Sequence, residues 1–322
     1  MVSTSSTEKL IDVRDLERTF VVRKRSGGLR RTTTEVRAVH DLSFGIEAGE
    51  MVGYIGPNGA GKSTTIKMLT GILVPTGGHL RVAGLEPSKH RTDLARRIGV
   101  VFGQRTTLWW DLPLRDSFDL LQKIYGIDPA RYRENLEEYV ALLDLHDLMD
   151  TPVRQLSLGQ RMRGDITAAL LHDPEVLYLD EPTIGLDVIS KGRLREFLRA
   201  LNQTRGTTIL LTTHDLQDIE ALCRRVIVID HGTSVFDGTL PDLHVRGGST
   251  RTLVVDLIDE GPPIEVAGAT VRRLDGPRQW LSFPSDASAA PIVAAVASAY
   301  DVADLSIQEP DIEDVIRDLY LG

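Results

Sequence analysis

Met51-Val-Gly-Tyr-Ile55-Gly56-Pro57-Asn58-Gly59-Ala60-Gly61-Lys62-Ser63-Thr64 is the stretch that sets the fold of this chain. The apolar run Met51 to Ile55 is short and does not alternate, which predicts a strand buried on both faces. Gly56 to Ser63 fits the pattern G-x-x-x-x-G-K-[ST], in which glycines let backbone N–H groups converge on phosphate oxygens. Ile66, Leu69 and Ile72 then recur at helical spacing, so the loop opens a helix whose N-terminus adds the positive end of its dipole. Strand, glycine loop and helix in that order predict a nucleoside triphosphate site. Lys62 would reach the β- and γ-phosphates, and Ser63 would offer a hydroxyl to Mg²⁺, a hard cation that prefers oxygen.

Working outward, similar apolar runs lie at Val100 to Phe102, Val176 to Leu179, Thr208 to Leu211 and Val226 to Ile229. Leu194, Phe197, Leu198 and Leu201 form a helical stripe between two of them, with Ser190 as the expected N-cap. The alternation predicts an α/β fold with a covered, mainly parallel sheet. Residues 113–172 read as helices alone, an insertion within the α/β body. Gly247-Gly248 suggests a linker, giving an expected division into 1–245 and a smaller α+β part, 246–322, with strands at Leu253 to Ile258 and Trp280 to Phe283, a helix at Ala287 to Tyr300 and a closing helix from Asp311. The basic segment between Val22 and Glu35 reads as a solvated loop, with contact to anionic lipid head groups as the sharper alternative.

The chain has 322 residues with 42% hydrophobic and 26% charged side chains, enough to build a core and too apolar for a disordered chain. A net charge of -9 argues against a nucleic-acid partner, which would require a hidden basic stripe. One cysteine, Cys223, fits a reducing compartment and a buried apolar role on a helix. The polar start MVSTSSTEKL lacks the apolar run of a signal peptide, and no later stretch is apolar over the ~20 residues of a membrane helix. Work at a membrane would therefore be done from outside the bilayer.

Val176-Leu-Tyr-Leu-Asp180 ends an apolar strand in a carboxylate suited to holding Mg²⁺ beside the cradle. Glu181, next in line, is the candidate general base for an attacking water. A strand ending in Asp-Glu is more often structural; its pairing with the cradle reverses that reading.

Leu156-Ser157-Leu158-Gly159-Gln160 stands before that strand and resembles the signature of the ABC family of ATPases, usually L-S-G-G-Q, with Leu158 in place of the first glycine. With the cradle at Gly56 to Thr64, the resemblance covers about Leu10 to Leu243. It implies a P-loop ATPase with ATP and Mg²⁺, in which Ser157, Leu158, Gly159 and Gln160 cap the γ-phosphate of ATP held by a second, expectedly identical subunit. It further implies that Gln104 is the glutamine contacting Mg²⁺, that Asp187, in Gly185-Leu186-Asp187, crosses the dimer interface, and that His214 donates to the γ-phosphate. Phe20 stands where the family places an aromatic against adenine; a strand-end core aromatic is the plainer reading. The narrower likeness, carried by Phe102-Gly-Gln-Arg105 and Leu108-Trp109-Trp110-Asp111-Leu112-Pro113, is to ATPases of exporters with a separately encoded permease. Trp109 and Trp110 either pack inward or meet that permease. The competing reading is a family member acting on nucleic acid or the ribosome, against which stand the single motif set, the lack of a heptad arm and the acidic balance.

Overall fold

A computed structural model of the chain describes residues 9–25, 31–103, 105–213, 215–246, 250–284, 287–308 and 315–316. Two compact units make up the chain, Met1–Asp237 and Gly238–Gly322. Among the described residues no helix is long and apolar enough to cross a membrane.

The first unit opens with two long strands, β1 (Ile11–Arg25) and β2 (Arg31–Ile46), paired antiparallel. The basic segment expected to be a loop is therefore mostly hairpin: strand pairing runs out to Arg25 and Arg31, and only 26–30 fall outside the described residues. After β3 (Met51–Ile55) and α1 (Lys62–Leu69), β4 (Gly77–Val82) returns to β1 and completes a three-stranded sheet, β2-β1-β4. Sequence reading does not find this sheet, because its strands mix apolar with exposed polar residues and carry register shifts between Val13 and Thr19.

Next come α2 (Arg91–Ala95) and β5 (Ile98–Phe102). The helical segment follows with α3 (Leu114–Tyr125), α4 (Pro129–Leu142), two short 3-10 turns and α5 (Leu158–Leu170). In α3, Leu114, Ser117, Phe118 and Leu121 form the buried stripe, and Gly126 ends the helix in the left-handed conformation. Phe118 is fully buried, worth roughly 2–3 kcal/mol against exposure. Asp128 caps α4 by accepting from the N–H groups of Ala130 and Arg131, with Pro129 in its first turn.

The remaining elements of this body are β6 (Val176–Asp180), α6 (Val188–Arg205), β7 (Thr208–Thr212), α7 (Leu216–Leu222), β8 (Arg225–Asp230) and β9 (Thr233–Thr239). They form a six-stranded sheet, β5-β6-β7-β3-β8-β9, with β3 between β7 and β8, parallel to both. The continuous burial of β6, β7 and β8 explains their unalternating sequences. One core joins the two sheets around α1: Leu16, Val39 and Phe44 cluster with Tyr54, Ile66, Tyr178 and Ile227. Cys223 is buried just past the end of α7, and burial pushes its thiol pKa up, leaving it inert.

One local expectation is corrected. Helix α6 is capped by Asp187, not Ser190: its carboxylate accepts from the Ser190 N–H at 2.9 Å and the Ser190 hydroxyl at 2.7 Å. A short carboxylate at the cap with serine three residues on satisfies the same orphan donors, so the helix starts earlier than the apolar stripe suggests.

The second unit contains α8 (Leu240–Arg246), β10 (Thr250–Leu257), β11 (Thr270–Asp275), β12 (Arg278–Pro284), α9 (Ala289–Ala299) and β13 (Val302–Gln308). Its antiparallel sheet runs β11-β12-β10-β13, and Ile292 and Val296 of α9 share a core with Leu253, Val255, Leu281 and Phe283. The expected closing helix from Asp311 lies outside the described residues except for Val315 and Ile316, which are helical.

Candidate active site

Parallel strands put their C-terminal ends on one rim, where the loops that follow leave an open crevice. Phe102, Asp180 and Thr212 are direct cross-strand partners, so they form one row at that rim. Directly behind the row in sequence come Gly103, Glu181 and Thr213; Gln104 and His214 lie outside the described residues.

The glycine loop leaves β3 at the same rim. Gly56 is buried against β8, and a Cβ there would sit 2.5 Å from the Ile229 carbonyl oxygen, so only glycine lets the loop lie this close. Gly61 precedes α1 with φ of 105° and no side-chain cap, leaving the first N–H groups of α1 without a side-chain acceptor from that position. Thr65 supports the turn from beneath, donating to the Gly61 carbonyl at 3.1 Å and receiving the Tyr54 hydroxyl at 3.2 Å.

These pieces surround a cavity of about 550 Å³ lined by Pro57, Asn58, Gly59, Gly61, Lys62, Ser63, Thr64, Asp180 and Glu181 among others. That is the size range of small-ligand sites. Gly56 and Ala60 belong to the loop but not to the wall. The Lys62 ammonium folds back onto the loop, donating to the Gly56 carbonyl and, at 3.1 Å, to that of Pro57. Burial lowers its pKa, while the charges of Glu181 and Asp180 oppose that shift. Asp180 accepts from the Thr212 hydroxyl at 2.5 Å, and its backbone carbonyl accepts from Gly103 N–H at 2.7 Å. Glu181 has φ of 57° and donates its N–H to the Thr212 carbonyl at 2.9 Å. A non-glycine residue held there by its neighbours is strained backbone of the kind that clusters at functional sites. The Ser63 hydroxyl and the Asp180 carboxylate are hard oxygen donors on one wall, a donor set that suits Mg²⁺.

The cavity also includes Ala38, Lys67, Ile72, Phe102, Gly103 and Arg105, which sequence reading missed. Ala38 arrives from the unforeseen antiparallel sheet and carries no chemical signal; Arg105 could have been flagged as a cation beside the candidate glutamine. Phe20 does not line the cavity: it is half-buried on β1 with the Arg18 guanidinium 4.6 Å from its ring centre.

Behind the rim, buried Asp218 on α7 accepts from Thr183 at 2.6 Å and from Arg195 of α6 at 2.6 Å. Lys191 of α6 pairs with Asp215 at 2.5 Å and holds its carboxyl below the usual range. Asp165 of α5 accepts from the Thr106 hydroxyl and the Thr107 N–H at 2.9 and 2.8 Å, tying the segment after residue 104 to that helix; burial nonetheless raises its pKa.

Ser157, Leu158, Gly159 and Gln160 form the first turn of α5, apart from the cavity. Ser157 caps α5 by accepting from Gln160 N–H at 3.2 Å, and Gln160 Oε1 accepts from Ser157 N–H at 2.8 Å, a complete capping box. Ser157 and Leu158 are exposed, as is Asp187. Trp109 and Trp110 do not pack inward: they are 37% and 51% exposed, with the Arg161 guanidinium over the Trp110 ring.

Residues 39–184 match the ABC transporter family. The chain is 38% identical to the daunorubicin/doxorubicin resistance ATP-binding protein DrrA of Streptomyces peucetius, over 70% of this chain and 67% of that protein. It is 31% identical to the linearmycin resistance ATP-binding protein LnrL of Bacillus subtilis, over 87% of this chain and 93% of the relative. Among solved structures, a dimeric bacterial ABC transporter cassette superposes with a TM-score of 0.60 at 26% identity, covering 71% of this chain and 98% of the cassette.

Proposed function

The chain belongs to the ABC transporter family as an ATP-binding, ATP-hydrolysing subunit, and from that premise we propose that two copies clasp ATP between them and drive export through a separate membrane permease. The observation that carries this reading is the shared rim: cradle, Asp180 and Glu181 open into one cavity, while the signature turn is complete, exposed and set apart from it.

In this reading the N–H groups of the loop and the Lys62 ammonium hold the β- and γ-phosphates, as a helix N-terminus beside a lysine is suited to do. Ser63 and Asp180 would hold Mg²⁺, which supplies charge neutralisation on the phosphates when bound. Glu181 orients the attacking water and takes its proton. Gln104 and His214 are assigned through the family pattern, as contacts to the metal and to the γ-phosphate. Phe20 retains the adenine role only if the Arg18 guanidinium leaves one face of its ring free. Ser157 and the turn through Gln160 are presented to the γ-phosphate of the partner copy, so neither copy is a whole catalyst. Asp187 crosses to that partner.

The closed pair is favoured only while the γ-phosphate is shared, so hydrolysis releases it. That cycle, working from the cytoplasmic face of the membrane, would move the permease. Export is favoured because the two relatives above are named for drug and antibiotic resistance. Exposed Trp109 and Trp110 suit a permease contact, since large aromatics anchor interfaces.

Glu181→Gln tests the core of this reading. Turnover should fall by about a hundredfold or more while ATP-bound dimers accumulate. Normal phosphate release by this variant would remove Glu181 as the base. Changing both Trp109 and Trp110 to Ala should abolish co-purification with the permease and leave ATP binding intact; undiminished co-purification would remove the contact.

A further inference from the structure

The signature turn and the loop Gly185-Leu186-Asp187 touch through two crossed leucine–glycine contacts. A Cβ on Gly185 would lie 2.3 Å from Leu158 Cδ2, and a Cβ on Gly159 would lie 2.7 Å from Leu186 Cδ2. Atoms do not approach this closely, so each leucine is seated on the other segment's glycine, and a larger residue there would push the leucine tip aside. Leu158 is the one position where the turn departs from the pattern it otherwise resembles, and its side chain lies where a glycine would leave the surface of Gly185 bare.

Both segments are stiffened from behind. The turn is held by the Ser157–Gln160 capping box on α5, and the loop by the Asp187 cap on α6. Hydrogen bonds to Ser190 already engage both Asp187 carboxylate oxygens, which leaves the Leu186 side chain and the Gly185 backbone to face α5. Toward the catalytic rim, the loop runs back through Thr183, pinned on buried Asp218, to Glu181.

We propose that Leu158 and Leu186 are positioning residues that make the signature turn and the 185–187 loop move as one piece, so that engagement of the turn on the partner's ATP adjusts Glu181 of its own subunit. The inference rests on the proposed role of the signature turn. Neither leucine lines the cavity of its own subunit; they act through Gly185, Gly159 and the chain between Thr183 and Glu181.

The test uses the full chain and reads three quantities: affinity of the single chain for a fluorescent ATP analogue, ATP-driven dimerisation by light scattering, and steady-state hydrolysis. Leu158→Ala and Leu186→Ala should each lower kcat about fivefold and weaken dimerisation, with nucleotide affinity and melting temperature close to the parent's. The double variant should fall no further than the worse single one, because one coupled unit fails only once. Gly159→Ala should lower kcat about tenfold, and adding Leu186→Ala, which removes the clashing Cδ2, should bring kcat back to the roughly fivefold loss of Leu186→Ala alone. Parental kcat in both leucine variants, losses that multiply in the double, or a Gly159→Ala defect that Leu186→Ala leaves unrescued would each overturn the coupling. Ser157→Ala separates the two levels. If it hydrolyses ATP normally, the role of the turn falls and this inference falls with it. If it is defective while both leucine variants are normal, only the coupling is lost.

Discussion

Two helix starts in this molecule face the same problem and solve it in opposite ways. The cradle helix α1 begins at Gly61 with no side-chain cap, while the signature helix α5 begins with a reciprocal box between Ser157 and Gln160. Every helix N-terminus has donors that need acceptors. At α1 that need is left for a ligand and a lysine is buried beside it; at α5 the protein meets it alone and keeps the turn exposed. The first end is built to be completed by an anion, and the second to hold its shape until another molecule arrives.

Removing the cradle's charge is the strongest way to break this contrast. Lys62→Ala should cut hydrolysis by about a hundredfold to a thousandfold and erase the rise in melting temperature that Mg-ATP gives the parent. The same thermal measurement on Ser157→Ala should still show a rise from ATP held by the cradle. Next in size, Gly61→Ala combines φ of 105° with a Cβ 2.7 Å from the Ala38 carbonyl oxygen. It should cost about 2–3 kcal/mol in denaturant unfolding and remove ATP binding with it. Ser157→Ala, which strips the self-made cap, should cost about 1 kcal/mol in the same assay. Gln160→Ala keeps half of the box and should cost about 0.5 kcal/mol.

A titration sharpens the comparison further. Lys62 must be protonated to meet phosphate, and burial places its pKa below the ordinary lysine value of about 10.4. ATP affinity should therefore be full at neutral pH and decline as pH rises through that lowered value, measured by fluorescence titration. Stability without nucleotide should move the other way over the same range, because a lysine that releases its proton more readily folded than unfolded adds stability as pH climbs. The signature turn offers no titrating side chain among Ser157 to Gln160, so it should contribute nothing to either slope.

The parts of this fold that were legible are those where chemistry or full burial restricts the residues. Met51 to Ile55 and Val176 to Asp180 read as strands because both faces are covered, and the glycine loop reads as a phosphate cradle because backbone must approach a ligand. The three-stranded sheet was not legible: β1 and β2 are long, irregular in register and partly exposed, so neither period stands out. The edge strand β11, Thr270–Asp275, hid for a similar reason, being almost wholly exposed. The cap that Asp187 places on α6 is not legible either, because the apolar stripe begins later than the helix and points to Ser190 instead. Ala38 reached the cavity through tertiary structure alone. Nothing local in the sequence distinguishes it.

The row Phe102, Asp180 and Thr212 has a practical corollary for anyone wishing to follow this motor in motion. Chemistry is confined to one rim, so the turns entering the same strands from the far side, at exposed Gly206 ahead of β7 and exposed Glu175 ahead of β6, are the natural sites for grafted tags or paired dyes. Probes placed there would report on the body as it travels while sparing the machinery they are meant to watch.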